Sequence, residues 1–190
     1  MTDQPFGLSK TLALYESLVA DVAFLDTAPV VFDGALAAEV TATLIGEARL
    51  LDRRQFDTWY DLWAEDAAFW VPLHQGHHPA RDQGLIMDDH RRLRERVWRM
   101  HDTSAWALVP YAQIVRMVGG VEAWPLPDSD TDVIATSAIS ITHERTGKVT
   151  VLAGRQIHRL RRTDDGWQIV RKIMLCPAIS AGMPHLGWIL

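Results

Sequence analysis

The sequence predicts an α+β fold in which helices pack on one face of a curved antiparallel sheet, and three observations carry that prediction. The stretch from Glu47 to Pro72, EARLLDRRQFDTWYDLWAEDAAFWVP, reads as a helix, a short aromatic second helix and then a strand. The second half of the chain is dominated by runs that alternate with a period of two, as strands half-buried on a core do. Thr163-Asp164-Asp165-Gly166 between two such runs is a strong hairpin signal. Helices first and strands after, with no internal repeat, describe one α+β layer arrangement.

Each element follows from its residues. Leu14, Leu18, Val22 and Leu25 share one stripe of a helix over residues 12–25, which Asp26-Thr27-Ala28-Pro29 ends. Residues 1–32 are therefore expected to form a helical arm ahead of a single domain over 33–190. The main helix is expected over 35–52, with Val40, Leu44, Ala48 and Leu51 inward. Trp59, Leu62 and Trp63 stand at i, i+3 and i+4 and are expected on one helical face, with Asp66 as the breaker and a strand over 67–73. A His/Gly/Pro loop over 74–82 leads to an extended piece at 85–87 and a charged helix over 88–100. Strands are expected over 112–124, broken at Gly119-Gly120, and over 133–142, with Val133, Ala135, Ile139 and Ile141 on one side. A turn over 143–148 precedes a strand over 149–161, bulged at Gly154, and the last strand covers 167–175.

Composition excludes several classes of function. A net charge of −5 lacks the basic footprint of a nucleic-acid binder. No apolar run approaches the ~20 residues that span a bilayer, and the first residues lack a basic segment followed by an apolar core, so a cytoplasmic protein is expected. The single cysteine, Cys176, permits no internal disulfide and reads as a small buried hydrophobe. Eight tryptophans are mostly core filling, with some at a subunit contact.

Three constellations could carry chemistry. His74, His77, His78 and Asp82 have the ligand types of a non-haem iron site, but adjacent histidines in a Gly/Pro loop are more simply a polar surface. Asp57, Asp61, His90 and His101, with Tyr60 or Tyr111 orienting, could supply a general base and acid; their plainer roles are helix-surface charges and a helix-end histidine. The helix DDHRRLRERVWRM carries its acids at the N-terminal end and Arg99 in its last turn, as the helix dipole favours. Its seam of Leu93, Val97 and Met100 packs on the sheet, while its arginines are expected to tie neighbouring subunits. Ser104, Ser137, Ser140 and Ser180 lie in no GxSxG context, and no glycine-rich phosphate loop precedes a helix.

The blocks EARLLDRRQFDTWYDLWAEDAAFWVP, LIMDDHRRLRERVWRM and AGRQIHRLRRTDDGWQIVRKIMLC, in that spacing, resemble the small (beta) subunits of bacterial aromatic-ring-hydroxylating dioxygenases, within the NTF2-like (cystatin-like) superfamily. The resemblance spans residues 36–190. Its most diagnostic part is Asp88-Asp89, Leu93, Arg96-Val97 and Arg99 on one helix. Where many relatives carry Ser-Asn-Val in the following strand, this chain has Gly119-Gly120-Val121.

The resemblance implies a cone-shaped NTF2-like domain with no catalytic, cofactor-binding or metal-binding residue of its own. It implies a large alpha subunit bearing a Rieske [2Fe-2S] cluster and a mononuclear Fe(II), which adds dioxygen to an aromatic ring to give a cis-dihydrodiol. It also implies an alpha3beta3 assembly built on a trimer of small subunits. A Rieske centre needs two cysteines and two histidines, which a chain with one cysteine cannot provide. The competing reading is a standalone NTF2-like dehydratase or isomerase using an Asp/His pair in the cone. Trimer contacts are expected from Trp124, Trp167, the arginine-rich helix and the tail. That tail, ISAGMPHLGWIL, is expected to run extended and to dock Leu186, Trp188, Ile189 and Leu190 in the cone mouth or on a neighbour.

Overall fold

Val40, Leu44, Ala48 and Leu51 recur at helical spacing and all are buried, so the helix that carries them lies with that stripe against the sheet. The computed structural model describes residues 6–31, 34–102, 110–181 and 189–190. In chain order the elements are α1 (Phe6–Thr27), α2 (Gly34–Asp52), α3 (Phe56–Asp61), β1 (Trp63–Pro72), β2 (Gly84–Asp89), α4 (His90–His101), β3 (Gln113–Pro125), β4 (Asp132–Arg145), β5 (Lys148–Thr163) and β6 (Gly166–Leu175), followed by a 3-10 turn, Pro177–Ala181. The six strands form one sheet in the order β2-β1-β6-β5-β4-β3. Neighbours are antiparallel except β1 and β6, which run parallel.

The period-two alternation of β4 divides two cores. Val133, Ala135, Ile139 and Ile141 join the inner core beneath α2, α3 and α4, as the pattern predicted. Ile134 points the other way and packs with Trp70, Trp124, Ile157 and Ile173 against Leu18 of α1. The arm helix thus lies across the outer face, opposite the other three helices. Trp124, expected at a subunit contact, is instead buried under this arm. Its ring meets Phe24 edge-on at 5.7 Å, and its Nε1 donates to the Pro29 carbonyl at 2.9 Å.

Several expected boundaries move, each for a tertiary reason. The second helix stops at Asp61, and Trp63 opens β1 rather than closing the helix. The Ile169 N–H donates to the Leu62 carbonyl at 2.7 Å, and this bond to β6 replaces the next helical turn. Asp66 then lies within the strand, held by both nitrogens of the Arg161 fork at 3.1 Å. Asp88 belongs to β2, opposite Phe69, and Asp89 caps α4 by accepting the Arg92 N–H at 2.8 Å. The turn expected over 143–148 tightens to Thr146-Gly147, both at positive φ, because β4 and β5 pair all the way to Arg145 and Lys148. The Gly119-Gly120 break is a true irregularity: the register shifts between Gly119 and Glu122, and Gly120 has φ +58°.

Gly154 is not a bulge, since the pairing runs through it without a shift. It is a glycine because β6 turns over it: a Cβ there would stand 2.5 Å from the Leu175 carbonyl oxygen and 2.7 Å from Cys176 Sγ. Gly154→Ala is expected to cost about 1–3 kcal/mol through overpacking against backbone that cannot retreat. Thermal unfolding would read this as roughly 2–4 °C of Tm per kcal/mol, and an unchanged Tm would show that the Leu175–Cys176 step can shift freely.

The tail also departs from expectation. Residues 177–181 form a 3-10 turn closed by the Ile179 N–H to the Cys176 carbonyl at 3.0 Å, and Ile179 is buried. Pro177 has the fixed φ that suits the first residue of such a turn. Leu186 and Trp188 lie outside the described residues, while Ile189 and Leu190 are buried in the inner core.

Candidate functional site

Between α2 and the inner face of the sheet sits a group of charges shut from solvent. Glu47 falls on the apolar stripe of α2, seven residues after Val40, so its carboxylate must enter the core. Register sets His158 of β5 directly beside Lys172 of β6, both on the inner face. Lys172 Nζ lies 2.7 Å from Glu47 Oε1, and Trp59 Nε1 from α3 donates to the same oxygen at 3.1 Å. His158 Nε2 stands 3.3 Å from Glu47 Oε2, but off the line of a hydrogen bond, so neither imidazole nitrogen has a well-aligned partner. Glu47, His158 and Lys172 are all between 0% and 2% exposed, which decides that this group is sealed rather than open to a substrate.

The protonation states follow from burial and proximity. Burial opposes ionisation of Glu47, but the Lys172 charge and its other contacts outweigh it and hold the carboxyl well below the usual range. Burial lowers the His158 pKa despite Glu47, so the imidazole is neutral at pH 7. Burial also lowers Lys172, opposed by the charge of Glu47. The result is a carboxylate–ammonium pair with a neutral histidine alongside. Close by, Arg116 of β3 donates to Asp52 of α2 at 2.5 Å and to the Ile189 carbonyl, pinning the end of the tail to the sheet.

The residues singled out in the sequence lie elsewhere. His101 Nε2 does stand 3.1 Å from Asp57 Oδ2, but both are exposed, in a groove of about 350 Å³ on the outside of α3 and α4 with Tyr60, Asp61 and Trp98. His90 stacks on Tyr60 and shares a 3.1 Å hydrogen bond with its hydroxyl. Tyr111 lies under the Arg54 guanidinium at 3.7 Å. Tyr60 packs against the edge of the inner core, none of the four acidic and histidine side chains enters it, and Asp57 and His101 form a surface pair.

The histidine loop disperses too. The rings of His74 and His77 pack edge-on at 4.8 Å, His77 Nδ1 faces the Gln83 carbonyl at 3.2 Å, and His78 Nδ1 accepts from the Ala80 N–H while its Nε2 meets Glu16 at 3.3 Å. Asp82 caps the His78 N–H at 2.7 Å, and that bond lowers its pKa. Among the described residues, no three His, Cys, Asp or Glu side chains gather as a metal site. The arginines of α4 are largely spent inside the chain: Arg91 on Glu95, Arg92 on the Met87 carbonyl, Arg96 on Asp88, and Arg94 over the Tyr60 ring.

The buried group escaped the sequence reading, although one signal was legible. A glutamate on an otherwise apolar helical stripe demands a buried cation, and Lys172 sits at an inward position of its strand. What pairing alone supplies is that β5 and β6 bring His158 and Lys172 to the same carboxylate.

Residues 46–178 match the model of a family described as ring hydroxylating beta subunit. The small oxygenase component of the p-cumate 2,3-dioxygenase system of Pseudomonas putida is 32% identical over 138 residues, covering 71% of this chain and 76% of that protein. A solved naphthalene 1,2-dioxygenase with indole bound in its active site contains a chain that superposes with a TM-score of 0.74 at 19% identity, covering 84% of this chain and 88% of that one. The beta subunit of benzoate 1,2-dioxygenase from Burkholderia mallei gives a TM-score of 0.66 at 21% identity, with 86% and 100% covered. The two structural likenesses speak for the fold.

Proposed function

This chain belongs to the ring hydroxylating beta subunit family, and from that premise we propose that it is the non-catalytic, structural subunit of an aromatic-ring-hydroxylating dioxygenase, an oxidoreductase that adds dioxygen to an aromatic ring to give a cis-dihydrodiol in aromatic catabolism. The match over residues 46–178 carries this reading. The charged groups of the inner core support it: Glu47 and Lys172 neutralise one another, and both are sealed with His158, so none is free to move a substrate proton.

The partner large subunit holds a Rieske [2Fe-2S] cluster and a mononuclear Fe(II), which supply the electron transfer and the oxygen chemistry. This chain does not fit such a cluster. It has one cysteine where two are needed, and burial pushes the Cys176 thiol up to about 11, away from the thiolate a metal takes. What the chain contributes is a rigid two-core scaffold for an alpha3beta3 assembly around a trimer of its own kind, in the cytoplasm. No helix among the described residues is long and apolar enough to cross a membrane. Residues 1–32 form the arm of this subunit and 33–190 its NTF2-like domain; α1 lies ahead of the matched span.

The test is purification of the chain alone and together with the large subunit encoded beside it. Alone, it is expected to hold no stoichiometric iron by elemental analysis and to transform no aromatic substrate; together, the pair is expected to do both. Tight iron with turnover in the isolated chain would overturn the reading, and proton-transfer activity there would favour a dehydratase or isomerase.

A further inference from the structure

The mouth of the inner core is filled by residues that belong to none of its helices or strands. Ile189 and Leu190, beyond the last turn, pack among the buried side chains of α2, α3, α4 and the inner sheet face. Their polar anchor is Arg116 of β3, whose side chain is only 2% exposed. One guanidinium nitrogen donates to Asp52 and the other to the Ile189 carbonyl. Beside Ile189 a cleft of about 20 Å³, room for a single water, is walled by Arg54, Phe56, Ile114 and Arg116. The cleft becomes a pocket when the tail leaves it.

Arg54 supplies a second observation at the same mouth. It follows α2 in the left-handed region, at φ +58°, and the N–H groups of Arg54 and Gln55 close the helix onto the Leu51 and Leu50 carbonyls at 3.1 and 2.9 Å. Glycine fits such a cap without strain. An arginine held there sets its guanidinium 3.7 Å over the Tyr111 ring and 5.3 Å from that of Phe56. Non-glycine residues kept in this conformation gather at ligand sites. Asp52 offsets the charge of Arg116, whereas among the described residues no carboxylate pairs with Arg54. The mouth therefore presents an uncompensated cation at its rim and a buried guanidinium within.

We propose that this mouth is a binding site for a small apolar carboxylate, and that the tail occupies it in this structure as a built-in competitor. The tail itself specifies the ligand: two aliphatic side chains in the core and an acceptor oxygen on the Arg116 fork. A molecule with a carboxylate in place of that carbonyl gains charge-assisted hydrogen bonds from Arg116 and the attraction of Arg54. A cationic ligand would meet two guanidiniums, and a wholly apolar one would leave the buried donor of Arg116 unpaired. The site goes beyond the structural role given above and does not depend on it. Binding there displaces the tail and leaves the ligand chemically unchanged.

The test titrates benzoate into the full chain by calorimetry, in wild type, in Ile189→Ala with Leu190→Ala, and in that double variant with Arg54→Gln added. In wild type the tail competes, so the apparent affinity is reduced by the fraction of chains in which it is docked away from the mouth. The double variant is expected to bind benzoate roughly tenfold or more tightly than wild type. Arg54 is exposed, and Arg54→Gln is expected to return roughly tenfold of that gain while leaving toluene, a neutral ring of similar size, unaffected. A double variant that binds benzoate no better than wild type would overturn the proposal, as would an affinity untouched by Arg54→Gln. A loss shared by toluene would trace the effect to packing and overturn it as well. If the double variant does not fold, wild type decides: excess benzoate is expected to speed amide exchange at Ile189 and Leu190, and unchanged exchange there would overturn the proposal.

Discussion

Lys172→Met is expected to destabilise the chain by about 3–5 kcal/mol, because it leaves the Glu47 carboxylate buried with no cation beside it. At this chain length that corresponds to a fall in Tm on the order of 10 °C. The size follows from the asymmetry of buried ion pairs. Keeping both partners gains little over an apolar pair, whereas removing one strands the other. The double variant Glu47→Gln with Lys172→Met should therefore recover much of the loss, since glutamine can still accept from Trp59 Nε1. A single variant as stable as wild type, or a double variant no better than the single one, would show that the pair is not the linchpin of this core.

The same group sets the acid limb of stability. His158 is held below its ordinary value of 6.5, so the unfolded chain binds a proton there that the buried ring refuses, and stability declines as pH falls below about 6.5. Glu47 is held below its ordinary 4.5, so a further, steeper loss begins under that value. Chemical denaturation across pH 3–8 should show the upper limb in wild type and the onset of the lower one. His158→Phe should remove the upper one alone; if it persists, the titrating group lies elsewhere.

The second large effect concerns the end of the tail. Ile189 and Leu190 are each 1% exposed within the inner core, and the Ile189 carbonyl accepts from Arg116. Replacing both with alanine removes two side chains whose loss from a core ordinarily costs about 2–5 kcal/mol each. The full sum is not expected. A terminal segment can undock, and the penalty then stops at the docking free energy, which ordering costs have already reduced. A loss on the order of 3 kcal/mol is expected, with faster amide exchange along β3 around Arg116. Unchanged stability and unchanged exchange would show that the segment rests on the core without holding it.

Much of this molecule is legible in its residues. Helical stripes and period-two alternation place α2, the four strands from Gln113 to Leu175 and the inward face of β4, because burial demands those periodicities wherever the partner happens to be. The hairpin at Thr163–Gly166 is equally local, and so is the separation of this chain from a Rieske ligand set, which needs only a count of cysteines. Three kindred blocks in register were enough to point to the family that the match over 46–178 shows.

Other features belong to the folded chain alone. Local spacing put Trp63 on a helix, and a hydrogen bond from Ile169, more than a hundred residues later, put it on a strand. Gly154 looked like a bulge and proved to be a point of close approach to Leu175 and Cys176. The arm helix lies on the outer face, where Leu18 packs with Ile134, Ile157 and Ile173, Asp21 meets Arg159 at 2.5 Å and Phe24 meets Trp124 edge-on, partners that no local pattern names. Asp57 and His101 met, but on the wrong side of the helices, while Glu47, His158 and Lys172 converged from α2, β5 and β6 in the core. Periodicity reports which way a side chain faces from its own element. Which other elements it then meets is set by strand order and register, and those are decided by the free energy of the whole packed chain.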